Sequence, residues 1–238
     1  MDVCILNSGF GSRLKRHTAK VPKALVPLGD DHTLLELQLS SLERLGSFRY
    51  AITTGYLDGM IQSHVEQRFP GLPVTYFPNK RYDTTNYITS LLALQGSFDD
   101  ELVLLHGDLL FERSVMEDVL RVKGSVVVVD STLPLPEKDF KARVVDGKVV
   151  EIGVDVFGDD CHACQPLYHL TKRDWNVWQR AIADFCARGE TGVYAEHALN
   201  SVGAAIELYP LDVKGRICME IDDESDLEKA KRIMEQIV

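Results

Sequence analysis

Long apolar runs are missing from this 238-residue sequence. The longest are short stretches such as Val126 to Val129, far from the roughly 18 residues that a membrane span needs. No membrane partner is therefore expected. Positive charge is the minority sign, with 26 Lys and Arg against 36 Asp and Glu and a formal charge of -10. A nucleic-acid binder needs a basic face, so that class is set aside. Cysteine is scarce and odd in number, 5 in all, which does not suggest a disulfide framework in a chain of this length. The start Met1-Asp2-Val3-Cys4-Ile5-Leu6 has no basic segment followed by an apolar one. No secretory leader is read there, and a cytoplasmic location is expected. With 17 Gly, 9 Pro and 45% hydrophobic residues, the composition is neither collagen-like nor disordered.

Short apolar runs alternate with amphipathic stretches, the pattern of an α/β layer fold. Val3 to Leu6, Tyr50 to Thr53, Pro73 to Phe77, Leu102 to Leu105 and Ser125 to Val129 read as strands. Thr33-Leu34-Leu35-Glu36 is a capping box, and Leu34, Leu35, Leu39, Leu42 and Leu45 follow at helical spacing. Ile61 to Phe69 and Asn86 to Leu94 are expected in helices. In the second half, Asp146-Gly147 predicts a hairpin across Arg143 to Val150. Further strands are expected at Ala163 to Leu170, Ala205 to Leu211 and 217–221, with helices near 172–188, 192–202 and 224–237. The expected architecture is a Rossmann-like three-layer sandwich with a mostly parallel, mixed central sheet. No repeat or linker divides the chain, so residues 1–238 read as one domain, with 130–215 as a more antiparallel, substrate-side elaboration.

The segment Leu6-Asn7-Ser8-Gly9-Phe10-Gly11-Ser12-Arg13-Leu14 leaves the carboxyl end of the first strand, where open α/β sheets bind ligands. Glycines with small neighbours let backbone N–H groups approach phosphate oxygens, and Arg13 adds a charged fork. A dinucleotide fingerprint is excluded because Leu14 stands where it wants a third glycine, and no G-x-x-x-x-G-K-S/T occurs.

Extended to Leu28, the segment resembles the signature L-x-x-G-x-G-x-R-L-x-x-x-T-x-x-x-P-K-A-L-V-P-L of the nucleotidyltransferases that act on sugar phosphates and phospho-alcohols. The resemblance implies that Leu6, Asn7, Ser8, Gly9, Gly11, Ser12 and Arg13 bind the nucleotide, with Gly55 nearby. It also implies that Arg13 and Lys23 act on its phosphates. Pro22 restricts Val21 to extended geometry and so fixes the approach of Lys23. Asn7-Ser8 replaces the family's usual Ala-Ala pair.

Nucleotidyl transfer needs a cation on the triphosphate, normally Mg²⁺ held by one or two carboxylates. Asp108 follows the strand Leu102 to Leu105, at the position of a metal-binding aspartate in the family. Glu220 and Asp222 alternate onto one side of their strand, roughly 6.5 Å apart at the usual rise. Glu220-Ile221-Asp222 resembles the C-terminal motif of the phosphocholine and 2-aminoethylphosphonate cytidylyltransferases, in which the last aspartate binds metal. Asp108, Asp222 and Glu220 are the expected metal set.

Asn79-Lys80-Arg81-Tyr82 through Asn86-Tyr87-Ile88-Thr89-Ser90-Leu91 resembles the N-x-x-Y-x-x-x-N-N-x-x-S-L segment that such cytidylyltransferases carry near the base, with Tyr87 in place of the second asparagine. Asn86 and Ser90, spaced i, i+4, are expected to share a helix face towards the nucleotide. The implied activity is cytidylyl transfer from CTP to a small phospho- or phosphonyl acceptor. Candidate acceptors are phosphocholine, aminoethylphosphonate, other phosphonates or phosphorylated amides. A zwitterionic amine would want an aromatic wall and a carboxylate, for which Tyr194, Glu196 and Trp178 are the candidates. Transfer of a uridylyl, thymidylyl or guanylyl group to a sugar 1-phosphate stays open, as do a nucleotide-sensing module without catalysis and a homodimer. Cys161-His162-Ala163-Cys164 has no second thiol pair nearby. The histidines, His106 included, show no metal spacing and are assigned no role.

Overall fold

A computed structural model describes residues 1–29 and 32–237. Its frame is a nine-stranded sheet with the main order β10-β6-β9-β4-β1-β2-β3. These strands are β1 (Asp2–Asn7), β2 (Arg49–Thr54), β3 (Val74–Pro78), β4 (Leu102–His106), β6 (Ser125–Asp130), β9 (Cys161–Leu170) and β10 (Leu208–Asp212). β1 pairs in parallel with β2 and β4, β2 with β3, and β6 with β10. β9 runs antiparallel between β4 and β6. The sheet is thus mostly parallel and mixed, as the sequence pattern implied.

Every residue of β1 is buried. Alternate side chains serve opposite faces, since Cys4 and Leu6 join one apolar cluster and Val3 and Ile5 the other. Helices cover both faces, which is why the central strands read as continuous apolar runs. Helix α1 (Leu34–Glu43) opens with the expected capping box: the Thr33 hydroxyl accepts from the Glu36 N–H, and the Glu36 carboxylate accepts from the Thr33 N–H. On one side α2 (Asp58–Arg68) and α4 (Arg113–Arg121) add Ile61, Val65, Val115, Met116 and Val119 to the core. On the other, α3 (Ile88–Leu92), α5 (Lys172–Ala187) and α6 (Ala195–Ser201) pack together.

The hairpin forms at Asp146-Gly147, with both residues at positive φ, 50° and 76°. It joins β7 (Lys141–Val145) to β8 (Lys148–Gly153), and β7 pairs onto β9. The strand expected at 217–221 forms, but outside the main sheet. β11 (Cys218–Glu220) forms a separate two-stranded sheet with β5 (Leu109–Phe111). That small sheet brings Glu220 and Asp222 back across the end of β4, and the final helix α7 (Glu224–Ile237) follows. The strand expected from Ala205 starts later, because Gly203–Ala205 forms a 3-10 turn. Among the described residues, no helix is long and apolar enough to cross a membrane.

Candidate active site

β1 and β4 end side by side, and the Gly107 N–H donates to the Leu6 carbonyl at 2.9 Å. The cleft opens at this edge. Beyond β1 the chain turns through Ser8, Gly9, Phe10 and Gly11 into a 3-10 turn, Ser12–His17. Gly11 has φ +65°, a region that suits glycine, and its carbonyl accepts from the Thr18 hydroxyl at 2.9 Å. Gly55 backs the loop so closely that a Cβ there would lie 2.5 Å from the Ser8 carbonyl oxygen. Leu6, Asn7, Ser8, Gly9, Lys23, Tyr87, His106 and Asp108 all border a cavity of about 120 Å³. Ser12 is exposed and makes none of this wall.

The floor holds an alternating set of charges. Lys23 Nζ lies 2.6 Å from Asp108 Oδ2 and 2.7 Å from Asp222 Oδ1, although these residues come from three separate parts of the chain. Arg13 Nη2 reaches Asp222 Oδ2 at 2.9 Å from a more exposed position. Burial alone would lower the Lys23 pKa, but the Asp108 and Asp222 carboxylates outweigh it and hold the ammonium above its ordinary value. Burial likewise pushes Asp108 up, and the Lys23 charge more than reverses this, leaving its pKa low.

His106 and Glu220 form a second layer, with Nδ1 3.3 Å from Glu220 Oε1 and 4.0 Å from Asp108 Oδ1. Burial, reinforced by Asp108 and Asp222, raises the Glu220 pKa to about 7. Asp139 is raised too, first by burial and then by Asp222 and Asp226. Ligand atoms of His106, Asp108 and Glu220 lie within 4.8 Å of one another, as do those of Asp139, Glu220 and Asp222. Both groups could hold a metal ion. Asp108 Oδ1 is buried without a hydrogen-bond partner among the described residues. An orphaned carboxylate oxygen is an expected feature of a cation site. His106 and Asp139 carried no sequence signal, because only the fold brings them to the carboxylates.

On the far side of the loop from the carboxylates, Ser8 Oγ and Ser90 Oγ lie 2.6 Å apart, and Asn79 Nδ2 donates to Ser90 Oγ at 3.0 Å. The expected shared helix face of Asn86 and Ser90 does not form. α3 starts at Ile88, and the Asn86 carboxamide turns back to accept from the Tyr87 N–H at 2.7 Å. Asn86 instead borders an open cavity of about 490 Å³ with Ser8, Gly9, Tyr82 and Tyr87. Ser90 is fully buried beneath the loop.

A third cavity of about 160 Å³ lies across the carboxylates, bordered by Arg13, Asp139, Phe140 and Tyr194 as well as Tyr87 and His106. Tyr87 therefore borders all three spaces. Its hydroxyl donates to Glu196, a buried carboxylate that also accepts from Tyr168 at 2.8 Å. Glu196 thus supports the Tyr87 wall from behind. Trp178 departs from the expected place in the acceptor site. It is fully buried, donates to the Ala195 carbonyl at 3.0 Å and packs edge-on against Trp175, so it presents no surface to an acceptor. Its position follows from the apolar stripe of α5, which buries Trp175, Trp178 and Ile182 together.

Residues 3–125, just over half of the 238-residue chain, match the family described as Nucleotidyl transferase. A UTP–glucose-1-phosphate uridylyltransferase of Haloferax volcanii is 26% identical over 51% of this chain and 49% of its own length, so the chain spans about half of that relative. A CTP:phosphoglutamine cytidylyltransferase of Campylobacter jejuni is 22% identical over 96% of this chain and 98% of its own. The fold matches that of the CTP:phosphocholine cytidylyltransferase LicC from Streptococcus pneumoniae, with a TM-score of 0.81, 21% identity and 98% of both chains covered.

Proposed function

The chain belongs to the nucleotidyl transferase family, and we propose that it transfers a cytidylyl group from CTP to a small phosphorylated or phosphonate acceptor, releasing pyrophosphate. The observation that carries this reading is the Lys23 ammonium, clasped between Asp108 and Asp222 beside the glycine loop. A cation and paired carboxylates at the mouth of a backbone N–H loop suit a triphosphate and its counter-ion.

An oxygen of the acceptor attacks the α-phosphorus as the bond to pyrophosphate breaks. The second pKa of a phosphate monoester is about 6, so the acceptor is largely dianionic at pH 7 and needs no general base. The work left to the protein is positioning and charge stabilisation. The loop from Ser8 to Gly11 offers its N–H groups to the phosphates. Arg13, 61% exposed, reaches outward to the leaving pyrophosphate, and Lys23 binds the phosphate at the carboxylates. The Ser8, Ser90 and Asn79 network shapes the base side, while Tyr87 and Tyr194 wall the acceptor side. Asp108 and Glu220 and, once Lys23 has moved from between the carboxylates onto the phosphate, Asp222 would hold Mg²⁺, which supplies neutralisation of the triphosphate charge.

The choice of CTP is supported by the base-side segment and by the phosphoglutamine cytidylyltransferase, which aligns along nearly the whole chain. The uridylyltransferase alignment favours a second reading, transfer to a sugar 1-phosphate. Pyrophosphate release decides between them, measured with Mg²⁺, each of CTP, UTP, ATP, GTP and dTTP, and a panel of acceptors. The panel holds phosphocholine, phosphoethanolamine, aminoethylphosphonate, glycerol phosphate and glucose 1-phosphate. Turnover is expected only with CTP and a small phospho- or phosphonyl acceptor. Turnover confined to UTP or dTTP with glucose 1-phosphate refutes the cytidylyl assignment.

A further inference from the structure

The geometry points to His106 as a nitrogen ligand in the metal site, making it a mixed imidazole–carboxylate site of His106, Asp108 and Glu220 suited to a transition-metal ion such as Mn²⁺. This deepens the function proposed above and rests on it. His106 Nδ1 is 3.3 Å from Glu220 Oε1 and 4.0 Å from Asp108 Oδ1. An ion with bonds of about 2.1 Å holds adjacent ligands about 3 Å apart. Shifts of about an ångström or less along these two edges would therefore bring the imidazole to ligand spacing from both carboxylates, whose own ligand atoms lie within 4.8 Å of each other.

A second observation selects this side of Asp108. Its Oδ2 is taken by Lys23 at 2.6 Å, whereas its Oδ1, the oxygen nearest the imidazole, is buried and unpartnered among the described residues. Lys23 already fills the space between Asp108 and Asp222, so the oxygen left to serve an ion faces His106. The ring is also held in place. Tyr87 meets it edge-on with centroids 4.8 Å apart, and the His106 carbonyl accepts from Gln38 Nε2 at 3.1 Å. Glu220 is shared with the all-oxygen group of Asp139 and Asp222. Magnesium prefers oxygen ligands and dehydrates reluctantly, whereas imidazole raises the relative affinity of first-row transition ions.

The test is electron spin echo spectroscopy of Mn²⁺ bound to the full chain in the presence of CTP, with and without [¹⁵N]histidine labelling. The expected result is nitrogen modulation that changes with the label and is lost in His106→Asn. The Mn²⁺ Kd of that variant should weaken about tenfold while its Mg²⁺ Kd moves less than twofold. Should the variant fail to fold, the labelled wild-type chain answers alone. Mn²⁺ that binds through the carboxylates, and is lost in Asp222→Asn, but shows no histidine modulation overturns the inference and leaves the proposed function standing. A chain that binds no Mn²⁺ even with CTP overturns both.

Discussion

Lys23→Met removes the charge at the centre of the cleft while keeping the length and most of the packing of the side chain. The native Lys23 side chain is 14% exposed, and those of its partners Asp108 and Asp222 are 20% and 16% exposed. Two short charge-assisted hydrogen bonds are lost, and the two carboxylates are left facing each other. Removing one member of a buried ion pair costs roughly 3–5 kcal/mol. The residual exposure and the Arg13 contact to Asp222 bring the expectation to about 3 kcal/mol. For a chain of this size that lowers Tm by roughly 6–12 °C. In the variant the freed carboxylates of Asp108 and Asp222 are open to a divalent ion, so Mg²⁺ at a hundredfold excess over its Kd is expected to stabilise it by about 2–3 kcal/mol.

The pH profile follows from the two directions of shift. The raised pKa of Lys23 gives stability that is complete below its unfolded value and drains as pH rises through the folded one. The lowered pKa of Asp108 gives stability that is lost only as pH falls through the folded value. In the variant Asp108 loses the charge that offsets its burial, so the stability gap between wild type and variant should be widest near neutral pH. It should narrow as falling pH protonates the freed carboxylate, and narrow again as Lys23 deprotonates at alkaline pH. Thermal melts with and without Mg²⁺ measure the stability, and pyrophosphate release should fall by about 10²–10³. A Tm within about 2 °C of wild type, or retention of a third of the turnover, refutes the role given to Lys23.

The other expectations concern the loop, the core and one hydroxyl. Gly55→Ala puts a Cβ 2.5 Å from the Ser8 carbonyl oxygen and 2.8 Å from Tyr82 Cβ. Overpacking of this kind costs about 1–3 kcal/mol, and the KM for the nucleotide should rise at least fivefold in steady-state kinetics; unchanged KM and Tm would count against the close approach. Trp178→Phe loses core packing and the donor to the Ala195 carbonyl, about 1–3 kcal/mol in urea unfolding. The acceptor KM should stay within twofold, and a tenfold rise at unchanged stability would return Trp178 to the acceptor site. The Tyr50 hydroxyl is buried and unpartnered among the described residues, and burial pushes its pKa up to about 12. Unfolded tyrosine ionises near pH 10, so wild-type stability should fall as pH climbs from 10 towards 12. Tyr50→Phe should be up to about 1 kcal/mol more stable at pH 8 and decline less at pH 11, and a clear loss at pH 8 would contradict this.

The parts of the fold that were legible in the sequence have local causes. The capping box at Thr33, the turn at Asp146-Gly147 and the alternation through Met219, Glu220 and Ile221 each act within a few residues, and each forms as read. The helix expected from Asn86 starts at Ile88 instead, because the Asn86 side chain competes for the Tyr87 N–H and so delays it. Trp178 looked like an available aromatic because the sequence does not show which face of α5 meets the sheet. The glycine loop, Lys23 and the acidic pair carry motif signals and are found together at one edge. His106 carries none, since its partner Glu220 lies 114 residues away. The insertion of β9 between β4 and β6 is equally silent, because an apolar strand of that length suits several neighbours.

That insertion constrains how the chain can be made. When β4 leaves the ribosome its outer edge has no neighbour, because the strand that covers it, Cys161–Leu170, is still to be synthesised. During that interval a row of backbone donors and acceptors beside the apolar side chains Leu102 to Leu105 is open to any passing strand. The match to the family model ends at residue 125, before this cover arrives. Cut out by itself, that half would carry an uncapped edge and should self-associate, because the strand that covers the edge lies in the C-terminal half.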